Sequence, residues 1–146
     1  MTLTFVELAF NGISLWPRGK VLGGSSILNY MMYLRGHRGD YDEWKNFGVE
    51  GWNYENVLPY FKKSENFDGV LHDNDKEYHG FSGPLTVQNE SFSEPILDTF
   101  LAAGREKGYP IADPTGSGQS GSFSWIPASI SKGVRIGTYL AFADKY

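Results

Sequence analysis

Cysteine is absent from this chain of 146 residues, which excludes disulfide bonds, thiolate metal sites and a cysteine nucleophile. No apolar run approaches the roughly 18 residues that a membrane-spanning helix needs. The opening MTLTFVELAF is a poor signal peptide, because Glu7 interrupts it and no basic residue precedes it. Basic residues are not in excess either: the net charge is −4, which predicts no affinity for nucleic acid or an anionic membrane. None of these absences assigns a compartment.

Aromatic residues and glycine are plentiful. Phe, Trp and Tyr make up 16% of the chain, enough material for the core of one ordinary domain. The 18 glycines exceed the average share of about 7% and predict a loop-rich fold.

One stretch, from Trp16 to Trp44, concentrates structural signals. Its two adjacent glycines, 23–24, allow a tight turn, and the two serines that follow, 25–26, are good helix N-caps. The run ILNYMMYLR then predicts an amphipathic helix, with Asn29 on the same face as the serines. A glycine-rich turn that leads into a helix N-terminus suits an anion, but an ordinary loop-to-helix junction uses the same residues.

Two basic residues, Arg18 and Lys20, flank Gly19 just before this turn. Either one would neutralise a bound pyrophosphate, and a solvated basic loop explains them equally well.

The rest of the chain predicts short helices and strands. Asp40 is expected to cap a helix closed by Gly48, and Asn53 a helix that Pro59 kinks or whose true start Pro59 shifts. Tyr41 and Trp44 share one face of the first of these helices and are expected in the core.

The second half of the chain continues this pattern. GPLTVQN predicts a strand with Leu85 and Val87 on one face. Ser93 is expected to cap a helix ended by Gly108, and Thr138 a last helix.

Two patterns resemble sites and are interpreted otherwise. The polar loop 66–82 holds four possible metal ligands, but their spacing matches neither a helical pair nor a calcium loop, so a surface turn is expected. These four are His72, Asp73, Asp75 and His79. The string GSGQSG at 116–121 matches G-x-G-x-x-G, but a turn precedes it and a strand follows, so a flexible loop is expected rather than a nucleotide site.

The stretch RGKVLGGSSILNYMMYLRGHRGDYDEW resembles the flavin signature of the glucose-methanol-choline oxidoreductases, which are FAD-dependent alcohol oxidases and dehydrogenases. Three later strings fit the same family: GWNYENVLPYFKKSE, HGFSGPLTV, and GVR before a helix. The resemblance covers roughly residues 16–142, and its first third is the most specific part.

The resemblance implies the fold class, the cofactor and the site. It implies an α+β or α/β fold: part of an FAD-binding, Rossmann-like domain in 1–65, and a loop with the start of an antiparallel-sheet substrate domain in 66–146. Ser25 is expected near the pyrophosphate, and residues 29–32 at the flavin end. The residues expected to bind FAD are Val21, Gly24, Ser25, Asn29, Tyr30, Met31 and Met32.

Departures from the family pattern refine these expectations. Relatives with covalently attached flavin can carry histidine just before the asparagine, and Leu28 stands there, so FAD is expected to be non-covalent. Tyr30 is bulky where some relatives have a small residue. The histidine base of the family lies near the end of a much longer chain, and none of His37, His72 or His79 matches its motif.

The expected function is therefore hydride transfer from the CH–OH group of an alcohol or sugar to FAD, by an enzyme of which this sequence is a fragment. The dinucleotide fingerprint and the catalytic histidine are missing from it, so the isolated chain is expected to be inactive, and marginally folded or prone to aggregate. The alternatives are an inactive truncated product or a non-catalytic, aromatic-rich module that binds sugars or aromatic compounds. The alcohol, the electron acceptor and the oligomeric state are not assigned, and no metal site is expected.

Overall fold

The computed structural model describes residues 16–71, 73–89 and 94–144, and within them it mixes short helices and short strands. The α-helices are α1 (Arg38–Asn46), α2 (Tyr54–Ser64), α3 (Pro95–Glu106) and α4 (Thr138–Phe142). The strands are β1 (Glu65–Phe67), β2 (Leu85–Val87), β3 (Ile130–Ser131) and β4 (Val134–Arg135). Two 3-10 helices cover Gly24–Ile27 and Asp73–Tyr78.

The strands form two small sheets. β1 pairs with β2 in parallel, so that Glu65 lies opposite Leu85, and β3 pairs with β4 antiparallel. Ala128 makes isolated antiparallel bridges to Met32 and to Gln88, and so connects the first third of the chain to β2. The buried side chains gather around β1 and β2, where Val87 is fully buried and Phe67 is 5% exposed.

The predicted helix over residues 27–35 is wrong. Only the four-residue 3-10 turn at Gly24–Ile27 forms, and the chain then runs extended. Met31 has φ +62°, and the backbone around it bonds to a distant segment: Ser129 N donates to Met31 O, and Tyr33 N donates to Pro127 O. Tertiary pairing has replaced the local helical bonds, which overrides helix propensity.

Several predicted caps are also wrong. His37 is the N-cap of α1, with its Nδ1 accepting from Gly39 N, while Asp40 accepts from His37 N in a reciprocal capping box. Gly137 occupies the N-cap of α4, where Thr138 is the first helical residue.

Other elements confirm the prediction. Asn53 occupies the N-cap of α2, and α3 has Pro95 in its first turn and Gly108 at φ +85° beyond its end. Pro59 does not shift the start of α2, which begins at Tyr54 and continues through Pro59, and a kink there stays a prediction. Strand β2 forms as expected, with Val87 in the core.

Apolar exposure is high in two helices. Ile96 of α3 is 74% exposed and Phe100 60%, and in α1 Trp44 is 43% exposed despite its edge-on contact with Tyr41. The expected core position of Trp44 is therefore only partly realised. Marginal folding of the isolated chain stays a prediction.

Two expectations fall on residues outside the described part of the chain: His72 as a candidate metal ligand and the N-cap at Ser93. Among the residues that are described, no helix combines the length and apolarity needed to cross a membrane.

Candidate functional site

The turn at Gly23 and Gly24 has backbone angles that favour glycine. Their φ angles are +89° and +57°, in the left-handed region that side chains rarely adopt. A Cβ built on Gly24 would meet no atom of the described residues within 4 Å, so these residues leave this side of the turn open. A ligand can approach the backbone there without displacing protein atoms.

Ser25 ties the turn to the residues before it. Its Oγ accepts a hydrogen bond from Gly19 N at 3.1 Å, and a Cβ at Gly19 would overlap the Gly24 carbonyl group. Ser25 therefore stabilises a close backbone crossing, and the expected N-cap role is wrong because no side chain caps the short 3-10 helix.

Ser26 connects the turn to α4. Its Oγ donates to Gly23 O and accepts from Thr138 N at 2.9 Å, while Thr138 Oγ1 donates to Gly23 O. A Cβ at Gly137 would overlap the Ile27 side chain, so α4 begins in direct contact with the turn. Ser26 thus satisfies an amide at the start of a helix 112 residues further along the chain.

Arg135, in β4, fixes the next turn of the chain. Its Nη1 donates to Ser26 O at 3.0 Å and to Asn29 Oδ1 at 2.8 Å. The same Oδ1 accepts from Met31 N at 3.1 Å. Asn29 therefore lies beside the serines as expected, although a tertiary contact holds it there rather than a helix.

We call residues Gly23–Met32 the open strip, because many of its side chains, and Val21 just before it, face solvent. Val21 is 54% exposed, Leu28 67%, Tyr30 91% and Met32 56%. The seven residues expected to bind FAD thus lie along one segment, where Val21, Tyr30 and Met32 are exposed and Met31 is half-buried. Exposed apolar surface of this kind marks a place where a ligand or another surface packs.

A second group of polar residues is buried. Arg35 Nη2 contacts Glu65 Oε2 at 2.7 Å, with the two side chains 1% and 0% exposed. Glu65 also accepts from Gly80 N, and Arg35 Nη1 donates to Tyr78 O. We call Arg35, Glu65, His79 and Asp113 the buried ion-pair network.

His79 is the centre of this network. Its Nδ1 lies 3.1 Å from Glu65 Oε1, and its Nε2 lies 2.5 Å from Asp113 Oδ2. Burial alone lowers the pKa of His79, but the hydrogen bonds and charges of Asp113 and Glu65 outweigh it, and the pKa is raised. Burial likewise raises the pKa of Asp113, but the bonds from His79 and Thr115 prevail and lower it. Both shifts favour the charged pair.

The surface turn expected at 66–82 is wrong for its second half. Asp75 is 2% exposed and His79 1%, and Asp75 Oδ1 accepts from Ser117 N. These residues hold the loop 113–118 against the core. Within the described residues, no three His, Asp or Glu side chains gather in a way that could hold a metal ion. The GSGQSG string lies in a run of turns, as the loop interpretation predicted.

An aromatic groove lies between α1 and α2. It has a volume of 580 Å³. Its lining residues are Tyr41, Trp44, Gly51, Trp52, Val57, Tyr60 and Phe61.

Sequence reasoning missed four residues that hold these regions in place. Arg35, Glu65 and Asp113 are charged residues far apart in the sequence, and no local pattern indicates that the fold buries them together. Arg135 carried a signal, since it lies in the GVR string, but nothing local connects it to Asn29.

The chain is similar to known proteins in sequence and in structure. The chain is 41% identical over 131 residues to an oxygen-dependent choline dehydrogenase from Vibrio vulnificus, covering 88% of this chain and 23% of the relative. It is 44% identical over 128 residues to a glucose dehydrogenase [FAD, quinone] from Drosophila melanogaster, covering 87% and 20%. In structure it is similar to an FAD-dependent oxidoreductase from Chaetomium thermophilum, with a TM-score of 0.78 and 30% identity over 88% of this chain and 24% of that one.

The chain therefore spans between a fifth and a quarter of the length of these relatives. The sequence profile described as GMC oxidoreductase matches residues 7–145, nearly the whole chain. The fold and the match together identify this chain as a member of the GMC oxidoreductase family.

Proposed function

We propose that this chain supplies part of the FAD site of an enzyme that oxidises the CH–OH group of a small alcohol or sugar. The observation that carries the proposal is the open strip: its backbone is fixed from behind by Arg135 and Thr138, while its outer face is uncovered. The names of the relatives, a choline dehydrogenase and a glucose dehydrogenase, support the substrate class.

The residues present fit an extended cofactor. The open side of Gly24 leaves room for close approach of a pyrophosphate, with Ser25 beside it. Further along, Tyr30 and Met32 offer exposed apolar surface of the kind that a flavin ring covers. FAD, when bound, supplies the hydride acceptor; the chain's own residues bind and orient it.

The proposal gives the described histidines no catalytic role. His79 is 1% exposed, and acidic side chains occupy both of its ring nitrogens, so it is out of reach of a substrate. His37 Nδ1 is used in capping α1. We therefore propose that a base from outside this chain takes the hydroxyl proton and that the chain alone does not turn over substrate.

The attachment of FAD and the domain division belong to the same proposal. We propose non-covalent FAD, because Leu28 stands where covalently linked relatives can have histidine. Residues 1–65 would belong to the Rossmann-like FAD domain and residues 66–146 would begin the substrate domain. The electron acceptor stays unassigned, since one relative is named for oxygen and another for quinone.

The test is titration of this chain with FAD, followed by quenching of flavin fluorescence. Saturable binding that Gly24→Val and Asn29→Ala abolish, and that Trp52→Ala leaves unchanged, supports the proposal. Failure of the chain to bind FAD, or binding that ignores the first two substitutions, contradicts it.

The aromatic groove favours a second candidate, a non-catalytic module for sugars or aromatic compounds. Its rings already pair edge-on or tilted, with Tyr41 5.3 Å from Trp44 and Trp44 5.9 Å from Trp52. This candidate predicts that p-nitrophenyl glucoside binds to the chain, that Trp52→Ala removes the binding, and that Gly24→Val does not.

A further inference from the structure

The hydrogen bonds at Asn29 determine which end of its side-chain amide faces the ligand. Arg135 Nη1 and Met31 N both point at the same side-chain atom of Asn29, at 2.8 and 3.1 Å. A guanidinium and a backbone N–H only donate. The atom they meet must therefore be the carbonyl oxygen, and the amide cannot turn over without placing two donors against two donors.

Fixing Oδ1 inward leaves Nδ2 directed away from both of these donors. None of the described residues accepts a hydrogen bond from Nδ2, and Asn29 is exposed. With respect to the described residues, the amide's two N–H groups are thus available to a ligand, while its acceptor is already used.

We propose that Arg135 is a positioning residue for the cofactor site. By holding Oδ1, it makes Asn29 a donor only, so that the strip presents N–H groups to an acceptor of the bound FAD. That acceptor is a carbonyl or nitrogen of the flavin ring, or a phosphate oxygen. This inference rests on the proposed function, because it takes FAD as the ligand of the strip.

A single nitrogen of Arg135, Nη1, makes both of the bonds that fix this part of the strip. The same Nη1 bonds to Ser26 O and to Asn29 Oδ1, so one cationic nitrogen joins the backbone of the turn to the side chain beyond it. An ammonium group with three donors is able to make the same two bonds, whereas an apolar side chain makes neither.

The decisive substitution is Asn29→Asp. Aspartate has the same shape, keeps an acceptor for Arg135 and Met31 N, and forms an ion pair with Arg135, but it offers no donor. Without FAD, this variant should unfold at the wild-type temperature or above it, and Asn29→Ala below it. FAD affinity should fall about tenfold or more in both variants, since a hydrogen bond lost at a site is typically worth that factor.

A double-mutant cycle separates positioning from simple structural support. Arg135→Met should weaken FAD binding in the wild-type background and have no further effect on affinity in the Asn29→Ala background. Its effect on thermal stability should persist in both backgrounds, because the bond to Ser26 O is lost either way. Arg135→Lys should restore most of the affinity.

Binding of riboflavin and of ADP distinguishes the two kinds of acceptor. If Asn29→Asp weakens riboflavin binding, the acceptor belongs to the ring; if it weakens ADP binding, the acceptor is a phosphate oxygen.

The inference is overturned if Asn29→Asp binds FAD as the wild type does, or if the two substitutions reduce FAD affinity additively. A wild-type chain that binds no FAD would refute the proposed function instead. In that case the order of unfolding temperatures still tests the orientation of the amide, and destabilisation by Asn29→Asp to the level of Asn29→Ala would refute it.

Discussion

Two arginines fix the two ends of the segment 26–35, and their environments differ. Arg35 is buried and pairs with a carboxylate, Glu65, at 2.7 Å. Arg135 is half-buried, and its bonds within the described part of the chain go to uncharged oxygens, of Ser26 and Asn29. Arg35 belongs to the buried ion-pair network, whereas the open strip next to Arg135 is exposed to solvent. The segment 26–35 is therefore fixed at one end by a buried ion pair that stabilises the fold, and it is exposed at the other end, where a ligand is expected.

The charges of the buried ion-pair network balance one another. With His79 protonated, the network holds two positive and two negative groups, so that each buried charge has a partner within hydrogen-bonding distance. Breaking such a set leaves a charge buried and unpaired, which costs much more than the loss of an exposed ion pair. The predictions below use this contrast, from the largest expected effect on stability to the smallest.

The largest effect is expected from Glu65→Ala. Removing this fully buried carboxylate leaves Arg35 and His79 without their shared partner. We expect a loss of about 3–5 kcal/mol in the free energy of unfolding, measured by urea denaturation. Glu106→Ala, at the exposed end of α3, is the control and should change it by less than about 0.5 kcal/mol. A Glu65→Ala chain as stable as this control would show that the network is dispensable.

The second effect is a pH dependence. The pKa of His79 is raised in the folded chain, so its contribution to stability is complete below its unfolded pKa and is lost as pH rises through the folded one. The pKa of Asp113 is lowered, so its contribution is present above its unfolded value and is lost as pH falls through the folded one. The unfolding temperature should therefore be highest in mildly acidic solution and decline towards alkaline pH.

The His79→Gln variant is the control for this profile. It should be less stable at acidic pH and should lose the alkaline decline, because no charge is left to titrate at that position. A decline that persists in the variant would assign it to another group.

The third prediction moves to the open strip. Gly24→Ala and Gly48→Ala are matched, because both glycines have positive φ angles and a Cβ at either would meet no described atom within 4 Å. Each substitution should cost about 1–2 kcal/mol through backbone strain alone. FAD titration should separate them: Gly24→Ala weakens binding, whereas Gly48→Ala does not. Equal affinities would show that the cofactor does not approach Gly24.

The smallest effect on stability is expected from Tyr30→Ser. Tyr30 is 91% exposed, so the free energy of unfolding should change by less than about 0.5 kcal/mol. Val70→Ser is the matched control, since Val70 is 88% exposed at a distance in sequence from the strip. Only Tyr30→Ser should weaken FAD binding. If both variants bind FAD equally well, Tyr30 lies outside the site.

The sequence predicts the elements whose signals are local. α2 and α3 form where their apolar spacing places them, Gly108 follows the end of α3 as predicted, and β2 forms from its alternation. Each of these patterns is decided by neighbours within a few residues, so no knowledge of the tertiary fold is needed.

The parts that could not be predicted depend on distant partners. Residues 27–35 have a helical pattern, but Ala128 and its neighbours supply backbone bonds that draw them into an extended path. Asp75 and His79 look like surface residues in a polar loop, but contacts with the loop at 113–118, and for His79 also with Phe67 and Glu65, bury them. In the site, the Gly-Ser string was visible, whereas the partnership of Asn29 with Arg135 spans 106 residues and has no local trace.

The contact between Ser26 and Thr138 has a consequence for the order in which the chain folds. These residues are 112 positions apart, and closing so long a loop is entropically unfavourable until other contacts have formed. At a synthesis rate of about 5–20 residues per second, Ser26 is made roughly 6–22 s before its partner. During that interval α4 does not yet exist, so the bonds from Thr138 that fix the backbone of the strip cannot form. The segment that is expected to hold the cofactor thus makes its bonds to Arg135 and Thr138 only after more than a hundred further residues have been synthesised.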